Sequence, residues 1–320
     1  MTQRLLVAVV FGLALFQAAA GQEVAIVPRE PRARNAALST QPDAVLRVDT
    51  SLVLIPAHVT NALGAPVNDL SAAHFHIYED NVEQTIASFN AEDAPVSVGL
   101  LFDASGSMRD KMDKASEAAA QFFDTANAGD EFFLVRISGR AKLVEPFTGD
   151  SSELVRRIER MRPGGETPLF DAIHLALKAM KMAHHSRKAL VILSDGGDNW
   201  STHTFRQIRR ALIEGDVQVY AMGIFDQDLS HNHSPEEARG PMLLHVLASQ
   251  TGGRLFPVKK REDLPRIGAR ISRELRQQYV LGYYPAHDAH DGKYHRVKVT
   301  LSSAPELRVS FRPGYYAPTE

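Results

Sequence analysis

The sequence contains no cysteine. Disulfides are therefore excluded, even for a chain exported to an oxidising compartment, and so are zinc sites built on thiolate. Stability has to come from packing and from any metal the chain holds. Charge of one sign is also scarce. The formal net charge is only −2, which gives no electrostatic reason to expect nucleic acid or an anionic membrane as a partner. Long hydrophobic runs are missing as well. The longest, residues 5–16, has about 12 residues, whereas a helix crossing a hydrocarbon core of roughly 30 Å needs about 20. There is no internal repeat and no low-complexity segment. What remains is an ordinary globular composition, 44% hydrophobic and 23% charged over 320 residues. That length suits one domain with a normal core plus a second module.

The beginning of the chain follows a three-part pattern. A short segment ending in Arg4 is followed by the apolar run 5–16 and then by Gln17-Ala18-Ala19-Ala20-Gly21, with small residues where a signal peptidase reads. This predicts a signal peptide over 1–20 and an exported mature chain that is periplasmic, cell-surface or extracellular, with no transmembrane segment of its own. A retained anchor is the alternative. Residues 21–43 hold Pro28, Pro31 and Pro42 without apolar periodicity, and are expected to form a flexible leader.

The next segment, 44–92, is β-like. Short runs at 46–48, 52–59, 75–78 and 84–89 are rich in strand formers and separated by turns at 61–66 and 79–81. From 93 to 276 the pattern changes. Nearly continuous apolar runs at 96–102, 132–137 and 189–193 read as strands buried on both faces. They alternate with amphipathic segments at 111–125, 151–161, 169–182, 205–214, 236–249 and 262–277, with further strands at 142–147, 217–224 and 254–258. This predicts an α/β domain, a doubly wound and mostly parallel sheet with helices on both faces. The segment 277–320 turns β-like again, with strands at 278–284, 294–301 and 307–311. The two flanks are expected to meet in one small β-rich module, with the α/β domain inserted between them. Two separate appendages are the alternative.

The chemistry is concentrated at strand ends. The first buried run ends in Asp103-Ala104-Ser105-Gly106-Ser107, the run at 189–193 leads into Ser194-Asp195-Gly196-Gly197-Asp198, and between them Gly164-Gly165-Glu166-Thr167-Pro168 feeds a helix. Ligand sites in open α/β sheets lie beyond the carboxyl ends of the strands. Asp103, Ser105, Ser107, Thr167 and Asp195 would then share one edge as an all-oxygen donor set. Such a set suits a hard cation, Mg2+ first, with Mn2+ and Ca2+ as alternatives. Two carboxylates with three hydroxyls leave the ion electrophilic, ready for an acidic group from a partner. The competing explanation is that the Asp side chains cap helices and the hydroxyls satisfy loop backbone.

Asp103-x-Ser105-x-Ser107, Thr167 and Asp195 resemble the metal ion-dependent adhesion site of von Willebrand factor type A domains, including the integrin I domains. The resemblance covers about residues 95–276. It implies that the hydroxyls contact the metal, that the two Asp bind it directly or through water, and that a ligand carboxylate completes the sphere. The flanks resemble a bacterial secreted group of such proteins, through Phe75-His76-Ile77-Tyr78-Glu79-Asp80, the segment 275–283 and Pro313-Gly314-Tyr315-Tyr316.

Weaker signals surround this set. Asp171 would orient a metal-bound water or answer a helix N-terminus. Glu166 would tune the site or face solvent, and Asp198 and Asn199 would brace the loop. His231 and His233 form a candidate transition-metal pair without a third ligand in view. His184-His185 close a helix, and the pairs Tyr283-Tyr284 and Tyr315-Tyr316 suit packing in the β module or a partner surface. The function expected is non-catalytic, metal-dependent binding of a protein or glycan through an acidic group. The alternatives are an envelope scaffold, or a Mg2+-dependent phosphohydrolase of the haloacid dehalogenase type with Asp103 as nucleophile. Against the enzyme, the position two residues after Asp103 is Ser105 where those enzymes carry a general acid, and no Gly-x-Ser-x-Gly elbow is present.

Overall fold

The computed structural model describes residues 52–91, 93–225, 234–285, 290–302 and 306–319. The signal peptide 1–20, the leader 21–43, the run 46–48 and the pair His231 and His233 lie outside the described residues.

The described chain begins with β1 (Val53–Thr60), β2 (Phe75–Glu79), β3 (Val82–Gln84) and β4 (Ser88–Asn90). The α/β block follows: β5 (Val96–Asp103), α1 (Met112–Phe123), β6 (Glu131–Ile137), β7 (Lys142–Thr148), α2 (Ser151–Glu159), α3 (Leu169–Met180), β8 (Arg187–Ser194), α4 (Phe205–Glu214), β9 (Gln218–Gly223), α5 (Pro235–Ser249), β10 (Leu255–Pro257) and α6 (Leu264–Arg276). The chain returns to strands in β11 (Tyr279–Tyr283), β12 (Tyr294–Leu301), β13 (Arg308–Phe311) and β14 (Gly314–Tyr316).

The central sheet has the order β10-β9-β8-β5-β6-β7 and is parallel except for β7 at one edge. Every residue of β5 is buried, as its unbroken apolar run requires of a strand covered on both faces. Alternation then sorts the side chains. Val98, Leu100 and Phe102 pack with Phe122 and Phe123 of α1, Leu154 of α2 and Ile271 and Leu275 of α6. Leu101, Leu190 and Ile192 pack on the other face with Ile173 of α3, Ile208 of α4 and Leu244 and Leu247 of α5. Each large apolar side chain buried this way contributes about 1.5–3 kcal/mol. Gly99 is required at the middle of β5, since a Cβ there would stand 2.2 Å from the Phe133 ring.

The flanking strands interleave. One antiparallel sheet runs β13-β1-β11-β4 and another β14-β12-β2-β3, so each combines strands from both ends of the described chain. Val53, Ile55, Phe75, Ile77, Leu281, Val297, Val299 and Tyr315 form their shared core. Two short strands, β3 and β14, were not expected from the sequence. The hairpin joining β2 to β3 turns on Asp80 and Asn81 with φ of 47° and 70°, the left-handed pair a tight two-residue hairpin demands and that Asp and Asn tolerate best. No helix among the described residues is long and apolar enough to cross a membrane.

Candidate metal centre at the sheet edge

Asp103 is the last residue of β5 and is fully buried. Its Oδ1 accepts the Ser105 N–H at 2.9 Å and its Oδ2 accepts the Ser194 hydroxyl at 2.5 Å. Ser194 closes β8, the strand beside β5. One hydroxyl therefore ties the two strand ends and sets Asp103 against the neighbouring Asp195. Ser105 Oγ and Ser107 Oγ lie 3.2 Å apart. After Ser105 the chain enters a short 3-10 turn, Gly106–Lys111, before α1 begins. The helix expected from residue 111 therefore starts one residue later, because 105–111 is spent turning the hydroxyls back towards the strand end.

The third loop is docked through its backbone. Gly164 N–H donates to the Ala104 carbonyl at 2.9 Å, and Gly106 N–H donates to the Gly165 carbonyl at 2.9 Å. Thr167 is buried, and Asn199 clamps its peptide from both sides: Thr167 N–H donates to Asn199 Oδ1 at 2.8 Å and Asn199 N–H to the Thr167 carbonyl at 3.2 Å. The loops carrying Asp103, Thr167 and Asp195 thus form one hydrogen-bonded rim at the carboxyl edge of the sheet.

Two participants escaped the sequence reading. Ser194 is one. The other is Lys111, whose Nζ lies 3.0 Å from Asp195 Oδ2 with both side chains buried. A signal for Lys111 existed, because Met108, Lys111, Ala115, Ala118 and Phe122 fall on one stripe at helical spacing. A lysine on the apolar stripe needs a buried counter-charge. Burial first, and the Asp195 carboxylate second, raise the Asp103 carboxyl to about 6, against the hydrogen bonds from Ser105 and Ser194 that lower it.

The remaining residues sort clearly. Asp171 accepts from the N–H groups of Thr202 and His203 and lies 2.7 Å from His203 Nδ1, so it fastens the start of α3 to the loop after β8. Asp198 accepts from the Phe170 N–H and the Ser201 hydroxyl, bracing the same helix start. Glu166 is exposed and its carbonyl accepts from Gly139 N–H at 2.7 Å. His184 Nδ1 lies 2.7 Å from Glu131 Oε2, away from this rim. Tyr283 and Tyr315 are buried in the β module, while Tyr284 is exposed. Trp200 follows Asn199 on the rim and is 62% exposed, the only tryptophan of the chain.

Residues 98–197 match the sequence profile of the von Willebrand factor type A domain. The chain carries a domain of that family, in the doubly wound α/β fold described above. Domains of this kind generally serve as non-catalytic modules that mediate protein interactions. Three solved structures are similar at low identity. The BatB protein of Bacteroides thetaiotaomicron is 19% identical, with 57% of this chain and 98% of that one covered and a TM-score of 0.45. A von Willebrand factor type A protein of Catenulispora acidiphila is 14% identical, with coverages of 85% and 75% and a TM-score of 0.49. The PilB minor pilin of Streptococcus sanguinis is 15% identical, with coverages of 58% and 62% and a TM-score of 0.42. A comparison with curated proteins gives no match.

Proposed function

We propose that this chain is an exported, non-catalytic binding protein that holds a divalent cation, Mg2+ first, through Asp103, Ser105, Ser107, Thr167 and Asp195, and uses it to engage an acidic group on a protein or glycan partner. The observation that carries this reading is the opposition of Asp103 and Asp195 across two adjoining strand ends, with the Asp103 carboxyl raised by burial and by its neighbour. Like charges held together in a buried place favour a cation. The donor set is oxygen only, which suits a hard ion.

Charge counting supports the second half of the reading. Two carboxylates and the Lys111 ammonium leave the site at about −1, so a bound 2+ ion would make it positive and attractive to a carboxylate. Bound there, the cation would supply an electrophilic coordination position. The protein's own groups fix the geometry: Ser194 and the Ser105 N–H orient Asp103, Lys111 holds Asp195, and Asn199 holds the Thr167 loop.

The experiment has two arms. The native chain should show a Mg2+-dependent rise in melting temperature, and Asp103→Ala should remove it with circular dichroism unchanged. A partner pulled from the native envelope fraction in Mg2+ should be released by EDTA. Retention of the partner in EDTA would refute metal-mediated binding even if the domain is folded as described.

A further inference from the structure

A second cluster lies outside the α/β block, where the two flanks meet. Glu79 ends β2 and Asp80 opens the hairpin turn, both from the N-terminal flank, while His295 sits in β12 of the C-terminal flank. His295 Nδ1 is 2.9 Å from Asp80 Oδ2 and 3.4 Å from Glu79 Oε1. One donor atom of each of the three residues falls within 4.8 Å of the others. Glu79 and His295 are buried, and the Asp80 side chain, 49% exposed, gives the cluster its opening to solvent.

We propose that Glu79, Asp80 and His295 form a binding site for a first-row divalent cation of the zinc type, which fastens the N-terminal flank to the C-terminal flank. The donor chemistry is one imidazole nitrogen and two carboxylate oxygens, a set that zinc accepts. At bond lengths of about 2.0–2.2 Å, tetrahedral donors stand about 3.3–3.6 Å apart; the 3.4 Å between His295 and Glu79 fits, and the 2.9 Å between His295 and Asp80 would open slightly around an ion. A single ring nitrogen facing two carboxylates at once is poorly served by one proton, whereas a cation serves both.

The surroundings have the form that supports a metal ligand. The other ring nitrogen, His295 Nε2, is 3.1 Å from Asp291 Oδ1, and a ligating histidine is normally oriented by a carboxylate on its far side. Asp291 is itself fixed by the Lys293 N–H at 2.8 Å. Asp80 Oδ1 accepts the Arg296 N–H at 3.0 Å, which leaves Oδ2 to face His295. Tyr315 donates to Glu79 Oε1 at 3.0 Å. Tyr283 Oη, fully buried, faces the same Glu79 carboxylate without a well-formed hydrogen bond of its own. These groups come from β2 and the turn after it, from β11, from β12 and the segment before it, and from β14, so the site is complete only when both flanks are folded together.

The test uses the full mature chain, stripped of metal and then saturated with Mg2+ to satisfy the sheet-edge site. Zinc titration by calorimetry, and the visible absorption of bound Co2+, are followed in the native chain, Asp80→Asn, His295→Gln and Asp103→Ala. Asn tolerates the left-handed backbone of position 80, so Asp80→Asn should fold even if His295→Gln does not. The native chain and Asp103→Ala should each take up one zinc with a rise in melting temperature. Asp80→Asn should bind it at least tenfold more weakly and lose the cobalt absorption, and His295→Gln should do the same. Undiminished uptake by Asp80→Asn, or no uptake by the native chain, would overturn the proposal. Neither result bears on the Mg2+ site, which Asp103→Ala reads separately.

Discussion

Lys111 forms a buried ion pair with Asp195, itself one of the proposed Mg2+ ligands. Removing one partner of such a pair leaves an uncompensated charge, at a cost of about 3–5 kcal/mol. Lys111→Met should therefore lower the melting temperature of the metal-free protein. It should also enlarge the stabilisation given by Mg2+, because the site becomes more negative. Thermal denaturation with and without Mg2+ measures both, and an unchanged Mg2+ increment would mean that Lys111 and the cation do not compete for Asp195. Trp200 offers a second residue-scale expectation. It is exposed on the rim beside Asn199, and under the proposed function it would offer a partner an aromatic contact. Trp200→Ala should weaken retention of the partner several-fold while leaving the Mg2+ increment intact. The Asp-x-Ser-x-Ser loop and the second Asp could be placed at one sheet edge from the sequence because each follows a recognisable buried strand, whereas the Thr loop follows α2 and was placed only by its position before α3. Ser194 was not legible, since a strand serine acquires meaning only once β5 and β8 are known to be neighbours, and the apolar stripe that marks Lys111 does not by itself name Asp195 as the counter-charge.

Among the elements, α5 has an unusual duty. Its Gly240 lies against the loop after β8 so closely that a Cβ would stand 2.1 Å from the Asp195 carbonyl oxygen, while Gly196 opposite has φ of 84° and would meet the Gly240 carbonyl at 2.6 Å. The helix therefore fixes the height of Asp195 above the sheet through two side-chain-free contacts. Gly240→Ala should shift residues 195–197, cost about 1–3 kcal/mol by overpacking, and reduce the Mg2+ increment, although no metal ligand is altered. Retention of the full increment would show that α5 does not position the loop. The long strands and helices were readable from periodicity because burial on both faces leaves a strong pattern. The strands β3 and β14, three residues each, carry too short a pattern to be seen locally, and pairing with β2 and β12 is what makes them strands.

At the scale of the whole molecule, β1 joins the flanking module to the α/β block through His58. The ring is buried, with Nε2 2.9 Å from the Tyr220 hydroxyl of β9. Burial first, then Arg254 and Arg187, lower its pKa from 6.5 to about 3. An unfolded histidine takes up a proton near 6.5, and the folded one resists until about 3. The stability associated with a neutral His58 is thus fully present above about pH 6.5 and is lost progressively as pH falls through that window towards 3. Urea midpoints measured from pH 7 to 4 should fall more steeply in the native chain than in His58→Gln, and parallel slopes would refute the assignment. That the flanks share their sheets was an inference from two β-like ends of the sequence. The division of eight strands between two sheets was not readable, because it depends on pairings across more than two hundred residues.

The placement of β1 sets an order of events. It is hydrogen-bonded along one edge to β11 and along the other to β13, so both of its partners are synthesised after the whole α/β block. Until then its backbone groups stay open at either side and the apolar residues of the module have no core to enter. Closure over such a separation is slow relative to local helix formation, so the docking of the tail strands is expected to come late, after the helices of the α/β block have formed.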